Sequence, residues 1–77
     1  MYQNMKRLEG EIKNYDSARG FGFIVTAEGD LFFHVRACIG LKGAEGEGEL
    51  YAGRRVAFEM GKARDGRPRA VAVELLP

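Results

Sequence analysis

Cysteine, proline and long apolar runs are all scarce in this sequence. Cys38 is the only cysteine, so no internal disulfide can form, and a single histidine leaves no ligand set for a zinc site. No apolar run is long enough to cross a membrane, and the polar start lacks the basic and apolar regions of an export signal. We therefore expect a cytoplasmic protein with no metal, no cofactor and no membrane partner.

The length and composition of the chain predict one folded unit. With 77 residues, 45% hydrophobic and 30% charged, the sequence is typical of a globular domain and too short for two independent cores. We predict a single domain over residues 1–77, in which residues 1–6 form an N-terminal extension that need not be ordered.

Short apolar stretches separated by glycine-containing turns predict five β-strands, at 6–15, 21–26, 31–35, 54–61 and 68–75. Period-two alternation places Val56, Phe58 and Met60 on one side of the fourth strand. The same alternation places Val71, Val73 and Leu75 on one side of the fifth. Pro68 suits the first position of a strand.

The segment between the third and fourth strands, residues 36–53, shows no helical period and is predicted to be a functional or mobile loop. Five short antiparallel strands without a helix must protect their edges. At this length, a partly closed Greek-key barrel of the oligonucleotide-binding type does so. The predicted fold class is therefore all-β, a five-stranded antiparallel Greek-key barrel.

The second and third strands carry an unusual number of rings. Phe21 and Phe23 lie two residues apart and so share a face, as do Phe32 and His34. Pairing of these strands gathers the four rings on one side and turns another set inward, namely Ile24, Leu31, Phe33 and Val35. Because a single-layer barrel has one interior, one of the two sets must be exposed, and a contiguous exposed aromatic patch indicates a binding surface.

Such a patch suits flat heterocycles. Stacking on an aromatic side chain stabilises an unpaired base by roughly 1–3 kcal/mol, whatever the base. The net charge of +1 is low for a protein with a polyanionic partner, but the charges are segregated. Residues 54–69 carry six basic and two acidic side chains, whereas residues 43–49 carry only glutamates as charged groups.

Two motifs carry a resemblance to the cold-shock domain family: RGFGFI at residues 19–24 and LFFHV at residues 31–35. They resemble the family's two ribonucleoprotein motifs, in the right order and at the right separation, and the similarity continues over most of the chain from Leu8. The resemblance implies the five-stranded barrel and binding of single-stranded RNA or DNA. It further implies a role as an RNA chaperone or a regulator of transcription or translation, without enzymatic activity.

Carried over by position, the resemblance implies base stacking by Tyr15, Phe21, Phe23, Phe32 and His34, with Lys13 and Arg19 contacting phosphates or polar groups. Tyr15 has two open alternatives, since it can meet a base or pack under the end of the first strand. His34 has no nucleophile or carboxylate fixed beside it by the sequence, so a stacking and hydrogen-bonding role is favoured over that of a catalytic base.

The chain also departs from the family pattern. Asn14 stands where the family usually has a tryptophan, and Val35 where it usually has a phenylalanine. The long loop between the third and fourth strands carries the acidic stretch GEGE at residues 46–49. Fewer rings and an acidic edge predict weaker nucleic-acid binding than in typical relatives. The alternative is a protein–protein interaction module on the same fold.

Three smaller questions stay open at this stage. The basic residues of the last predicted hairpin, Lys62, Arg64, Arg67 and Arg69, either extend an electrostatic track or only solubilise its tip. Cys38 is expected to be a small buried hydrophobic residue. We expect a monomer, with a strand-exchanged dimer through the 36–53 segment as the alternative.

Overall fold

The fold is built on a single antiparallel sheet of five strands. The computed structural model describes residues 7–41 and 43–77, and the extension predicted at residues 1–6 lies outside the described residues. The strands are β1 (Leu8–Asp16), β2 (Phe21–Thr26), β3 (Gly29–His34), β4 (Arg55–Lys62) and β5 (Pro68–Leu75). The predicted all-β fold of five antiparallel strands is confirmed, and the bounds of β2 and β5 are those expected from the sequence.

The strands follow the order β3-β2-β1-β4-β5, so that β3 and β5 are the two edges. The sheet curls until these edges contact each other, but they are not neighbours in the hydrogen-bonded order. The sheet is therefore open along this line, which we call the β3–β5 seam. Within the described part of the chain, no helix has the length and apolar character needed to cross a membrane.

The core lies inside the curled sheet and draws on every strand. Its buried members are Ile12, Ile24, Leu31, Phe33, Leu50, Val56, Phe58, Ala70 and Val73. Phe33 and Phe58 are the largest side chains among those with almost no exposed surface. Burial of these apolar groups is the main term that stabilises a domain of this size.

The segment between β3 and β4 is more structured than predicted. It opens with a 3-10 turn, η1 (Val35–Ala37), and contains one short α-helix, α1 (Gly43–Glu47). The prediction that this segment has no helix was wrong, because five helical residues are too few to show a period in the sequence. After the helix, Leu50 enters the core with 3% of its surface exposed.

Irregular pairing changes the inward set of β4 and β5. The register shifts between Ala57 and Glu59, opposite a bulge in β5 where Ala72 has a positive φ of 50°. Beyond the bulge, Ala70 rather than Val71 points into the core together with Val73. Met60, predicted on the apolar side of β4, is 51% exposed, so that part of the alternation was wrong.

Candidate nucleic-acid interface

The rings of β2 and β3 form one patch on the outer side of the sheet. Phe23 lies opposite Phe32 in the ladder, and Phe21 lies opposite His34. The ring centroids of Phe21 and Phe32 are 5.5 Å apart, and those of Phe23 and Phe32 are 5.9 Å apart. Phe21 and Phe23 meet edge to face at 6.5 Å. We call these four residues the aromatic face, and each of them is half-buried.

The other side of the same strands is packed away from water. Ile24 and Phe33 have no exposed surface and Leu31 has 7%. Gly22 lies between the two phenylalanines of β2, where a Cβ atom would collide with the backbone carbonyl of Asn14. A glycine is required there because the backbone of the neighbouring strand β1 approaches this position too closely for a side chain. Alternation along β2 and β3 thus separates the aromatic face from the core, as the sequence predicted.

A bulge in β1 decides the position of Tyr15. The register of β1 against β2 shifts between Ile12 and Asn14, which places Asn14 opposite Phe23 and Tyr15 opposite Gly22. The Tyr15 ring stacks on the buried Phe33 ring, with centroids 6.0 Å apart and planes 18° apart. This geometry corresponds to the second alternative for Tyr15, packing under the end of β1. The Tyr15 ring is not part of the aromatic face.

The Tyr15 hydroxyl is tied to the segment between β3 and β4. It donates a hydrogen bond to a carboxylate oxygen of Glu47. Burial, together with this hydrogen bond, raises the pKa of Tyr15 above its ordinary range. A second glutamate of the predicted acidic stretch, Glu49, lies 3.8 Å from Arg54. Two of the charges expected to repel phosphate therefore already have partners within the protein.

His34 ends β3 with its ring held by the backbone. Its Nδ1 accepts a hydrogen bond of 3.0 Å from the Arg36 N–H. A neutral His34 ring therefore carries its proton on Nε2, which lies close to Gly20. This arrangement leaves Nε2 as the hydrogen-bond donor of the ring at the β2–β3 corner of the aromatic face.

The two predicted cationic contacts differ in their present partners. The Lys13 ammonium donates a 2.6 Å hydrogen bond to the carboxylate of Asp30, and both side chains are exposed. The Arg19 side chain is 73% exposed and lies 3.8 Å from Asp16. Exposed pairs of this kind contribute little to stability, so both cations can exchange a carboxylate for a phosphate at small cost.

Arg69 is a member of this surface that the sequence did not single out. It lies on β5, and its guanidinium carbon is 5.7 Å from the centroid of the Phe32 ring, across the β3–β5 seam. The sequence placed Arg69 in a basic cluster and left its role open. Its contact with Phe32 depends on the curl of the sheet, which brings together two edges that are distant along the chain.

Metal binding and thiol chemistry have little support among the described residues. Within residues 7–41 and 43–77, no three His, Cys, Asp or Glu side chains are grouped as metal ligands would be. Cys38 is half-buried and lies beside Val73 in an isolated parallel bridge. Burial raises the pKa of its thiol to about 11, which makes it a poor nucleophile at neutral pH.

An open, curled sheet of five antiparallel strands, with clustered rings on its outer side and cations at their margins, defines a nucleic-acid-binding protein of the oligonucleotide-binding type. The chain belongs to the family described as the 'Cold-shock' DNA-binding domain, which matches residues 8–76. The resemblance seen in the two motifs is thereby confirmed.

The relatives include bacterial and plant proteins. The chain is 37% identical over 71 residues to Cold shock-like protein CspC of Escherichia coli K12, covering 90% of this chain and 96% of that protein. It is 36% identical over 69 residues to Cold shock domain-containing protein 4 of Arabidopsis thaliana, covering 87% of this chain and 32% of that protein. Glycine-rich protein 2 of Nicotiana sylvestris is 39% identical over 70 residues, covering 88% of this chain. The chain spans about a third of each plant relative.

Proposed function

We propose that this protein binds single-stranded RNA or DNA by stacking bases on the aromatic face. One observation carries the proposal: Phe21, Phe23 and Phe32 cluster on the outer side of β2 and β3. The inward side of the same two strands is occupied by other residues, Ile24, Leu31 and Phe33. Rings that are not needed in the core and remain open to solvent are available to unpaired bases.

Stacking does not distinguish strongly among bases, so the binding is expected to tolerate many sequences. Lys13 and Arg19 supply the electrostatic part by contacting phosphates, and the His34 Nε2–H supplies a hydrogen-bond donor. Because the protein has a net charge of only +1, this part is small and is weakened further by salt.

We propose weaker binding than in relatives that carry the usual tryptophan. Asn14, opposite Phe23, offers an amide where that ring would extend the aromatic face. Val35 stands where a phenylalanine is usual, and its side chain packs against the core from η1. The aromatic face therefore ends at His34 on one side and at Phe23 on the other.

The cellular role that fits this proposal is that of an RNA chaperone or a regulator of transcription or translation, acting in the cytoplasm as a monomer without catalysis. A sequence-tolerant binder of unpaired bases favours the unpaired state of RNA by mass action. The alternative assembly is a dimer in which the 36–53 segment acts as a hinge and two copies exchange strands.

The test is a titration of labelled single strands, followed by fluorescence anisotropy at several salt concentrations. Poly-pyrimidine and poly-purine strands are compared with a duplex of the same length. We expect both single strands to bind more tightly than the duplex, with affinity that falls as salt rises. Absence of binding at low salt would contradict the proposal and favour a protein–protein interaction module.

A further inference from the structure

Most arginine and lysine side chains with a described environment are paired with a carboxylate. Arg7 contacts Glu59 and Glu74, Arg55 contacts Glu9, and the remaining pairs are Lys13 with Asp30, Arg19 with Asp16, Arg54 with Glu49 and Arg67 with Asp65. Among residues 7–41 and 43–77, four cations have no carboxylate within 4.0 Å, namely Arg36, Lys62, Arg64 and Arg69. The first three are exposed, whereas Arg69 is half-buried. Its neighbour is instead the Phe32 ring.

The position of Arg69 is constrained although it is not paired. The side chain is half-buried, its Nε is shielded from solvent, and that atom has no hydrogen-bond partner among the described residues. Cation–π attraction to Phe32 holds the guanidinium at the edge of the aromatic face. A guanidinium fixed in this way, without an anion of its own, presents its remaining N–H groups to an incoming anion.

We infer that Arg69 binds a phosphodiester of the nucleic-acid strand whose bases stack on the aromatic face, so that the bound strand crosses the β3–β5 seam. This inference rests on the proposed function and adds a contact from β5, a strand that contributes no residue to the aromatic face. The phosphate supplies the anion that Arg69 lacks within the protein. Phe32 then has two roles, as a platform for a base and as the support of the guanidinium.

Arg67 is a matched control for this contact. It lies two residues from Arg69 on the same hairpin, but it is 85% exposed and lies 3.4 Å from Asp65 in the turn. Arg69→Gln and Arg67→Gln remove the same charge from the protein, so any difference between them reports position rather than net charge. Arg69→Lys keeps the charge and removes the planar group.

The experiment measures anisotropy of a labelled oligothymidine of about eight nucleotides, a length within the range of oligonucleotide-binding folds. Arg69→Gln is expected to lower affinity about ten-fold at low salt, the size of a lost charge-assisted hydrogen bond. It should also reduce the slope of log affinity against log salt by about 0.7, the value for one phosphate on a single strand. Arg67→Gln should change affinity by less than about two-fold, because its charge is exposed and screened.

Two further variants test the geometry. Arg69→Lys should keep the salt slope of the unmodified protein and bind a few-fold more weakly, because lysine lacks the planar fork that stacks on a ring and fits a phosphate. Combining Phe32→Ala with Arg69→Gln should weaken binding by less than the sum of the single effects, because the ring supports the guanidinium. Thermal unfolding without oligonucleotide shows which variants are folded, and Arg69→Met, which also removes the charge, replaces Arg69→Gln if that variant is not folded.

The outcomes separate the inference from the proposed function. If the unmodified protein binds and Arg69→Gln matches Arg67→Gln in affinity and slope, the inference is wrong and the proposed function stands. If Arg69→Lys binds as tightly as the unmodified protein, the requirement for a planar guanidinium is wrong. If the unmodified protein binds no single strand at low salt, both the inference and the proposed function are wrong.

Discussion

Asn14 lies directly opposite Phe23 in the β1–β2 ladder, immediately beyond the point where the register of β1 shifts. The bulge turns the next residue, Tyr15, against Phe33 on the core side and leaves Asn14 exposed at the margin of the aromatic face. A polar amide therefore ends the row of rings on β1, and this position offers the most direct control of binding strength.

Replacing Asn14 by tryptophan should strengthen binding to single strands. Asn14 is exposed, so a larger side chain has room there, and the new ring would lie next to Phe23. One more stacked base would contribute about 1–3 kcal/mol. Anisotropy titration with a labelled pyrimidine strand measures the change. Asn14→Ala, which removes the amide without adding a ring, is the control, and equal affinities for the two variants would show that a missing ring does not limit binding.

Phe32 and Phe33 are adjacent in the sequence but should respond to truncation in different assays. Phe32 faces outward, so Phe32→Ala should lower affinity for single strands by about 1–3 kcal/mol. Because the half-buried ring contacts Phe21 and Phe23, this variant should also lose some stability, but less than Phe33→Ala. Phe33 is fully buried, so Phe33→Ala should lower the free energy of unfolding by about 3–5 kcal/mol. Urea unfolding and oligonucleotide titration on both variants measure the two effects. A loss of stability in Phe32→Ala as large as that in Phe33→Ala would mean that the aromatic face is part of the core.

Leu50 should be essential to stability although it lies in the segment that joins β3 to β4. It is 3% exposed and belongs to the core cluster, whereas the next residue, Tyr51, is 53% exposed. Leu50→Ala should therefore lower the free energy of unfolding by about 2–5 kcal/mol. Tyr51→Ala should change it by no more than about 0.5 kcal/mol. Chemical unfolding of Leu50→Ala and Tyr51→Ala measures the two effects. Equal free energies of unfolding for the two variants would show that Leu50 is not part of the core.

Stability should fall in alkaline solution for two separable reasons. Burial raises the pKa of the Cys38 thiol to about 11, and burial with the Glu47 hydrogen bond raises the pKa of Tyr15. Both groups lose their protons more readily in the unfolded chain. The free energy of unfolding should therefore decrease as the pH rises above about 8.5 for Cys38 and above about 10 for Tyr15.

Single variants assign the two parts of this pH dependence. Cys38→Ala should remove the decrease that begins near pH 8.5, and Tyr15→Phe should remove the part that begins near pH 10. Urea unfolding at a series of pH values between about 7 and 11 measures both, since these values bracket the ordinary titrations of the two groups. A decrease in Cys38→Ala as steep as that of the unmodified protein would rule out the thiol as its source.

Period-two alternation was sufficient to predict much of this fold. It located β2 and β5, separated Phe32 from Phe33, and identified the four members of the aromatic face. It succeeded in β2 and β3 because these strands pair in unbroken register, so that each residue alternates strictly between the core and the outer side. The two family motifs fall in the same strands.

Alternation failed where pairing is irregular. The bulge opposite the Ala57–Glu59 shift placed Ala70 in the core instead of Val71, and the bulge in β1 decided between the two alternatives that the sequence left open for Tyr15. A bulge depends on how two strands meet, which the pattern of one strand does not contain. The short helix α1 was missed because its five residues are too few to show a period of their own.

The sequence by itself determined the number of strands, the family, and which rings face away from the core, since these depend on local alternation and on motifs within single strands. Only the tertiary structure decided that Tyr15 packs on Phe33, that Leu50 enters the core, and that Arg69 lies on Phe32 across the seam. Those contacts join residues far apart along the chain, and they depend on the curl of the sheet and, for Tyr15, on the bulge in β1.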